Sequence, residues 1–202
     1  MNDHRFAKMF LAGSRRVDED HLFRSYESVR VNDPSDPVTT GALKTFRDET
    51  LAAGHRLAFR TATPVRLFLF TMAGSVLLSI EGCGDVLVNA GDTELLMLDE
   101  GTRFSISNPL EDELTNYVLC LFENERADSL FRVQLNRYDG REEMEYRLSD
   151  PDSRVFIWVV QGAFEVKNRL LESRDAMLVR GLGDIDAEAL SNEAILLLIE
   201  YN

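Results

Sequence analysis

An apolar segment, a glycine turn and a second apolar segment occur twice in this chain. The first copy surrounds Gly74 and the second surrounds Gly162. A tight bend carrying an acid follows in each half, at Ala90–Asp92 and at Ser173–Asp175. Internal duplication of one β unit is the natural explanation for such a repeat, and it constrains the fold more than any other feature.

The segments between the turns are short and rich in β-branched and aromatic residues. One series runs from Ala42 to Phe122 and a second from Phe131 to Glu200. Many short strands at near-regular spacing indicate sandwiches or barrels rather than βαβ units. The sequence predicts an N-terminal extension or edge segment over residues 1–25, a first barrel over 26–122 and a second, divergent barrel over 131–202.

Three connecting regions are predicted from local composition. Phe6, Met9 and Phe10 suit a short helical face within the extension. The two prolines and two acids of Asn32–Pro37 indicate a turn, and the polar stretch Glu123–Asp128 suits a linker.

Composition and charge exclude several classes of protein. Hydrophobic residues make up 45% of the 202 residues and charged residues 28%, which is typical of a globular protein. The net charge of −13 argues against nucleic acid and anionic membranes as partners. No apolar run approaches the ~20 residues of a membrane span, and Met1–Arg5 lacks the pattern of a signal peptide. We therefore expect a cytoplasmic protein that is a monomer or a small homo-oligomer.

Val86–Asp92, followed by Phe104–Pro109, resembles the second sequence motif of the cupins, with alanine where proline is usual. The doubling, the divergent C-terminal half and the segment Leu22–Tyr26 leading into Gly41–Leu43 together resemble the pirin-like bicupins, from about residue 22 to 202. This resemblance implies an all-β fold of two cupin-type (double-stranded β-helix) barrels in tandem, with short helical turns.

In a metal-binding cupin, a His-x-His pair, a glutamate and a last histidine hold the ion. Counting from Gly74 and Asn108 places the corresponding residues at Arg60, Ala62, Arg66 and Phe104. None of these can coordinate a transition metal, and the permanently charged arginines repel a divalent cation. Because the chain contains only three histidines, at positions 4, 21 and 55, no shift of register supplies a histidine cluster. We expect no metal and no cofactor.

The same positions suggest a different site. If even-numbered residues face the barrel interior, two guanidinium groups and aromatic walls form a pocket for a small anion. The candidate ligand-binding residues are Arg60, Arg66, Phe68, Phe70, Phe104 and, at the barrel mouth, His55. The plainer alternatives are arginines that lie on the outer face or pair with interior acids, phenylalanines that are core residues, and a solvent-facing histidine.

The sequence favours a metal-free, non-catalytic module that binds a small anionic molecule or a protein. The alternative is a cupin enzyme, either a quercetinase-like dioxygenase or a metal-independent isomerase that uses His55 as its base. The second half contains no histidine and is expected to have a structural or interface role, with Trp158 as core packing.

Overall fold

The structure is a computed structural model that describes residues 6–29, 40–123 and 129–202. Within these ranges the regular structure is β-strand apart from one 3-10 helix, Ala12–Ser14. The strands are β1 (Phe6–Phe10), β2 (Arg16–Glu19), β3 (Phe23–Val29), β4 (Leu43–Leu51), β5 (Arg56–Arg60), β6 (Val65–Ala73), β7 (Ser75–Ile80), β8 (Gly84–Asn89), β9 (Thr93–Leu98), β10 (Arg103–Ser107), β11 (Thr115–Glu123), β12 (Phe131–Tyr138), β13 (Glu143–Tyr146), β14 (Arg154–Gln161), β15 (Ala163–Val166), β16 (Arg169–Glu172), β17 (Ala176–Arg180), β18 (Ile185–Ala189) and β19 (Ala194–Tyr201).

The chain divides into two compact units. The first unit is Arg16–Ala127, and the second unit combines Met1–Arg15 with Asp128–Asn202. The all-β fold of two cupin-type barrels expected from the sequence is confirmed.

In the first unit, a six-stranded sheet with order β2-β3-β4-β11-β6-β9 faces a four-stranded sheet with order β5-β10-β7-β8. Both sheets are antiparallel, and alternate residues of their strands form one apolar core between them. Leu67, Leu69 and Leu119 enter this core from the larger sheet, and Leu78 and Ile106 from the smaller one.

The second unit repeats this arrangement with a five-stranded sheet, β1-β17-β14-β19-β12, and a four-stranded sheet, β13-β18-β15-β16. Its core includes Ile157 and Leu198 from the larger sheet and Phe164 and Ile185 from the smaller one. All four side chains are at most 1% exposed, so the space between the sheets is filled by apolar side chains.

The glycines at the centre of the sequence repeat occupy the same place in both units. Gly74 joins β6 to β7 and Gly162 joins β14 to β15, with φ of 71° and 84° respectively. A side chain at either position would also meet neighbouring atoms, because Leu114 O and Ser191 Oγ lie 2.9 and 2.5 Å from the place of a Cβ. Left-handed backbone and close approach both require glycine here.

The extension predicted for residues 1–25 differs from the observed structure. Phe6–Phe10 form an edge strand antiparallel to β17, with Met9 opposite Met177, rather than a helical face. Strands β2 and β3 belong to the sheet of the first unit. Pairing with a sheet edge satisfies the backbone hydrogen bonds of β1, a tertiary effect that local periodicity does not show. The predicted turn at Asn32–Pro37 and most of the predicted linker lie outside the described residues.

No helix among the described residues has the length and apolar character needed to cross a membrane.

Candidate functional site

Strand β6 presents its odd-numbered residues to the core of the first unit. Val65, Leu67 and Leu69 belong to that core, so Arg66, Phe68 and Phe70 lie on the opposite face of the sheet. Phe68 and Phe70 are buried there, and Arg66 is partly buried. The prediction that even-numbered residues line the barrel is therefore corrected. Both faces of β6 are apolar and buried, so the sequence carries no alternation that could fix the phase.

Phe104 does face the core, as the sequence suggested, but its partner is not Arg60. Strands β5 and β10 are antiparallel, with Phe104 opposite Phe59 and Arg103 opposite Arg60. The rings of Phe59 and Phe104 stack with centroids 5.0 Å apart and an interplanar angle of 16°. Arg60 is exposed on the outer face of β5, which is the plainer of the two alternatives considered for it.

This register moves the expected metal-ligand positions by one residue. The residues of β5 that pack toward the core are Leu57 and Phe59, and the next in this alternation, Thr61, is buried. The Thr61 hydroxyl is already used, because it donates a 2.6 Å hydrogen bond to the Asp99 carbonyl. Among the described residues, no group of three or more His, Cys, Asp or Glu side chains is placed to hold a metal. A stacked phenylalanine pair does not fit the metal that the cupin fold implies.

His55 lies in the turn before β5 and does not line the cavity described below. Its backbone N–H donates to Ala52 O at 3.1 Å, and its carbonyl accepts from Asn108 N at 2.9 Å. The imidazole stacks on Phe23, with centroids 6.2 Å apart and an interplanar angle of 10°. Within the described part of the chain, its buried Nε2 has no hydrogen-bond partner. This environment does not provide the orienting acid that a catalytic histidine base needs.

A cavity of about 340 Å³ lies in the first unit beside strands β2 to β5. It is lined by charged, polar and aromatic side chains: Arg16, Asp18, Phe23, Ser25, Glu27, Arg47, Glu49, Leu57, Ala58 and Phe59. Its central residues come from β4. Leu51 faces the core, so the alternation of the strand places Glu49 and Arg47 on the same face.

Glu49 is at the centre of a hydrogen-bond network. Its Oε2 accepts from the Tyr117 hydroxyl at 2.5 Å, and its Oε1 accepts from the Ser25 hydroxyl at 3.0 Å. Arg47 Nη1 lies 4.0 Å from Glu49 Oε1, and Arg47 Nε donates to Glu27 Oε1 at 3.2 Å. Glu49 is 1% exposed and Tyr117 is fully buried, so this network lies inside the unit.

The environment changes the acidity of both hydrogen-bonded groups. Burial raises the pKa of Glu49, and this effect outweighs the hydrogen bond from Tyr117 and the charge of Arg47, which lower it. Burial, the charge of Glu49 and the hydrogen bond to it raise the pKa of Tyr117 well above its ordinary value. Glu49 therefore holds a proton more readily than a glutamate in water, which suits it to donate a hydrogen bond or a proton into the cavity.

The sequence analysis missed this cluster. It ended the predicted strand at Phe46 and left the polar run Arg47–Thr50 as a loop, whereas β4 continues to Leu51. The signal was weak because a polar interior face and a polar turn have similar composition. Only the pairing of Glu49 with Tyr117 across β4 and β11 shows that the run is a strand.

The interior of the second unit has no comparable cavity cluster among the described residues. Its buried acid, Glu200, accepts hydrogen bonds from the Tyr146 hydroxyl at 2.8 Å, Ser153 Oγ at 2.8 Å and Ser149 N at 2.7 Å. Burial alone would raise the pKa of Glu200, but these hydrogen bonds outweigh it and lower the pKa. Fully buried Trp158 donates from its indole to Arg174 O at 3.2 Å. These contacts are those of a structural network.

Residues 129–200 match the family model described as the quercetinase C-terminal cupin domain. The crystal structure of YhhW from Escherichia coli superposes with a TM-score of 0.81, at 16% identity over 96% of this chain and 97% of that chain. The chain has the pirin-like bicupin fold. Quercetin 2,3-dioxygenase from Acinetobacter baumannii gives a TM-score of 0.74, at 10% identity over 96% of this bicupin and 85% of the enzyme.

The oxalate decarboxylase of Lactobacillus farciminis, described as a formate complex, has a TM-score of 0.70 at 11% identity, over 96% of the bicupin and 85% of that chain. No curated protein matches the sequence of the bicupin. At these identities the likeness is one of fold.

Proposed function

We propose that this bicupin is a metal-independent binding module whose first unit takes a small polar carboxylic acid in the cavity around Arg47 and Glu49. The observation that carries the proposal is the cavity itself, which places a guanidinium group and a carboxyl with a raised pKa beside aromatic side chains. Convergent polar groups in a largely apolar cavity are typical of small-molecule sites.

The two charged groups suggest how such a ligand binds. Arg47 carries five N–H donors and shares its charge between Glu27 and Glu49, so further donors remain for a ligand carboxylate. Glu27 and the protonated form of Glu49 suit hydrogen-bonding groups elsewhere on the ligand, and Phe23 and Phe59 suit its apolar part. The formate complex of the oxalate decarboxylase makes small carboxylates sensible first probes.

A thermal-shift screen of mono- and dicarboxylates, amino acids and amides tests this proposal. A ligand should raise the melting temperature in proportion to the logarithm of its concentration. The shift should disappear in Arg47→Gln and should persist in the control Arg132→Gln, whose arginine lies 3.9 Å from buried Glu200 in the second unit. Calorimetric titration at a temperature where circular dichroism shows both variants folded separates lost binding from lost stability.

An absence of hits among these compounds would argue against the cavity as a binding site. Equal shifts in wild type and Arg47→Gln would also argue against it. A hit that requires a transition metal would favour the dioxygenase alternative instead.

An acid–base enzyme is the second candidate, and the raised pKa of Glu49 favours it. In this candidate Glu49, rather than His55, moves a proton on the bound molecule, because Glu49 lines the cavity whereas His55 does not. Incubation of a bound ligand in deuterated water, followed by nuclear magnetic resonance, tests this alternative. Glu49→Gln should abolish deuterium incorporation while the ligand still binds.

A further inference from the structure

We propose that the outer face of the four-stranded sheet in the first unit binds an extended multivalent anion through Arg56, Arg60 and Arg103. This site is separate from the proposed carboxylic acid cavity, and neither depends on the other. It occupies an open groove of about 630 Å³ that contains all three arginines.

The register of the sheet places these arginines together. On β10, Phe104 faces the core, so Arg103 and Ser105 face outward. On β5, Arg60 lies directly opposite Arg103. Arg56 lies on the same face four residues before Arg60, which corresponds to about 13 Å along a strand.

The opposition of Arg60 and Arg103 is unfavourable without a bound anion. Side chains directly opposite each other on antiparallel strands have Cβ atoms about 4.5–5.5 Å apart, and like charges at that spacing destabilise a sheet. Both arginines are exposed, which reduces the repulsion without removing it. A bound phosphate or carboxylate would convert this repulsion into a bidentate attraction.

The rest of the chain shows that the pairing is unusual for this protein. Acids outnumber bases by 35 to 22. Arg24, Arg47 and Arg137 have glutamate partners. By contrast, Arg56, Arg60 and Arg103 form no side-chain hydrogen bond or ion pair with any described residue, although exposed Glu81 lines the same groove. Their charges are therefore available to a ligand.

The floor of the groove leaves room between the arginines. Ala58, Ser79 and Ser105 lie side by side across β5, β10 and β7, and all three are small. The Ser105 hydroxyl has no hydrogen-bond partner within the described residues, although the residue is only 2% exposed. An unsatisfied buried hydroxyl costs about 1–3 kcal/mol, so a ligand that reaches it gains a further contact.

The spacing predicts a dependence on ligand length that can be measured by calorimetric titration at low and moderate salt. Inorganic phosphate spans only Arg60 and Arg103, whereas tripolyphosphate extends toward Arg56. We expect tripolyphosphate to bind wild type, and Arg60→Gln/Arg103→Gln to weaken it at least about tenfold through loss of two charge-assisted contacts. Arg56→Gln should weaken tripolyphosphate more than phosphate. Citrate in place of tripolyphosphate shows whether the site prefers carboxylates or phosphates.

The matched control is Arg137→Gln/Arg147→Gln, which removes the same charge from exposed arginines of the second unit. It should leave tripolyphosphate binding unchanged, and circular dichroism should show all variants folded. The proposal is overturned if no probe binds wild type or if the control loses as much affinity as the groove variant. Tighter binding of a single-stranded oligonucleotide than of tripolyphosphate would also overturn it, in favour of a nucleic-acid surface.

Discussion

The Tyr117 hydroxyl donates a 2.5 Å hydrogen bond to Oε2 of Glu49, and both residues are buried in the first unit. This contact joins β11 to β4 across a directly opposed pair. It satisfies one oxygen of a carboxyl that has little access to water, and Ser25 satisfies the other. The contact therefore contributes both to the stability of the unit and to the protonation of its cavity.

Replacing Tyr117 with Phe should destabilise the protein by about 1–3 kcal/mol, the cost of leaving a buried polar group without its donor. Urea denaturation at neutral pH measures the change. The control is Tyr138→Phe, because the Tyr138 hydroxyl only accepts an exposed 3.3 Å bond from Asn136. That variant should stay within about 0.5 kcal/mol of wild type. Equal stability of the two variants would contradict a structural role for the Tyr117–Glu49 bond.

Glu49 and Glu200 should give the pH dependence of stability opposite signs. The raised pKa of Glu49 means that the folded state binds its proton more tightly than the unfolded chain, where the pKa is near 4.5. Its contribution to stability is present below that value and is lost as pH rises through the folded pKa. The lowered pKa of Glu200 gives a contribution that is present above about 4.5 and is lost as pH falls through the folded pKa.

Urea denaturation of wild type, Glu49→Gln and Glu200→Gln from acidic to neutral pH tests these signs. The free energy of unfolding of wild type relative to Glu49→Gln should fall as pH rises from about 4.5, and that relative to Glu200→Gln should rise with pH up to about 4.5. Curves of the same slope for both variants would show that one pKa direction is incorrect.

Gly74→Ala and Gly162→Ala should each be more destabilising than Gly54→Ala. All three glycines have positive φ, which costs an alanine about 1–2 kcal/mol. An added Cβ meets neighbouring atoms at 2.9 Å at Gly74 and 2.5 Å at Gly162, whereas nothing lies within 4 Å at Gly54. Crowding should add about 1–3 kcal/mol at the two repeat positions, measured by thermal or urea denaturation. A cost at either no larger than at Gly54 would contradict the close approach.

Purified, untagged protein should carry well under one transition metal per chain after exposure to nickel or iron and dialysis. The reason is that Phe59 and Phe104 stack at the place where a cupin metal would bind. Elemental analysis by plasma mass spectrometry checks this expectation. The bacterial pirin YhhW, described in complex with nickel(II), is a positive control for loading. A near-stoichiometric metal in this bicupin would contradict the prediction, as would a melting temperature that falls on chelation.

The sequence by itself determined the fold class and the duplication. Turn glycines and short β-rich segments are local signals, and Gly74 and Gly162 occupy the places that the repeat predicted. The scarcity of histidine was also visible directly, since composition does not depend on register.

Tertiary structure alone decided which face of each strand points inward. A shift of one residue exchanges the two faces, and β6 is apolar on both, so Arg66, Phe68 and Phe70 were expected on the wrong side. Pairing with β10 placed Arg60 beside Arg103 on the outside. Pairing with β11 made Arg47 and Glu49 strand residues inside the first unit. These contacts join residues far apart in the chain, so no local pattern encodes them.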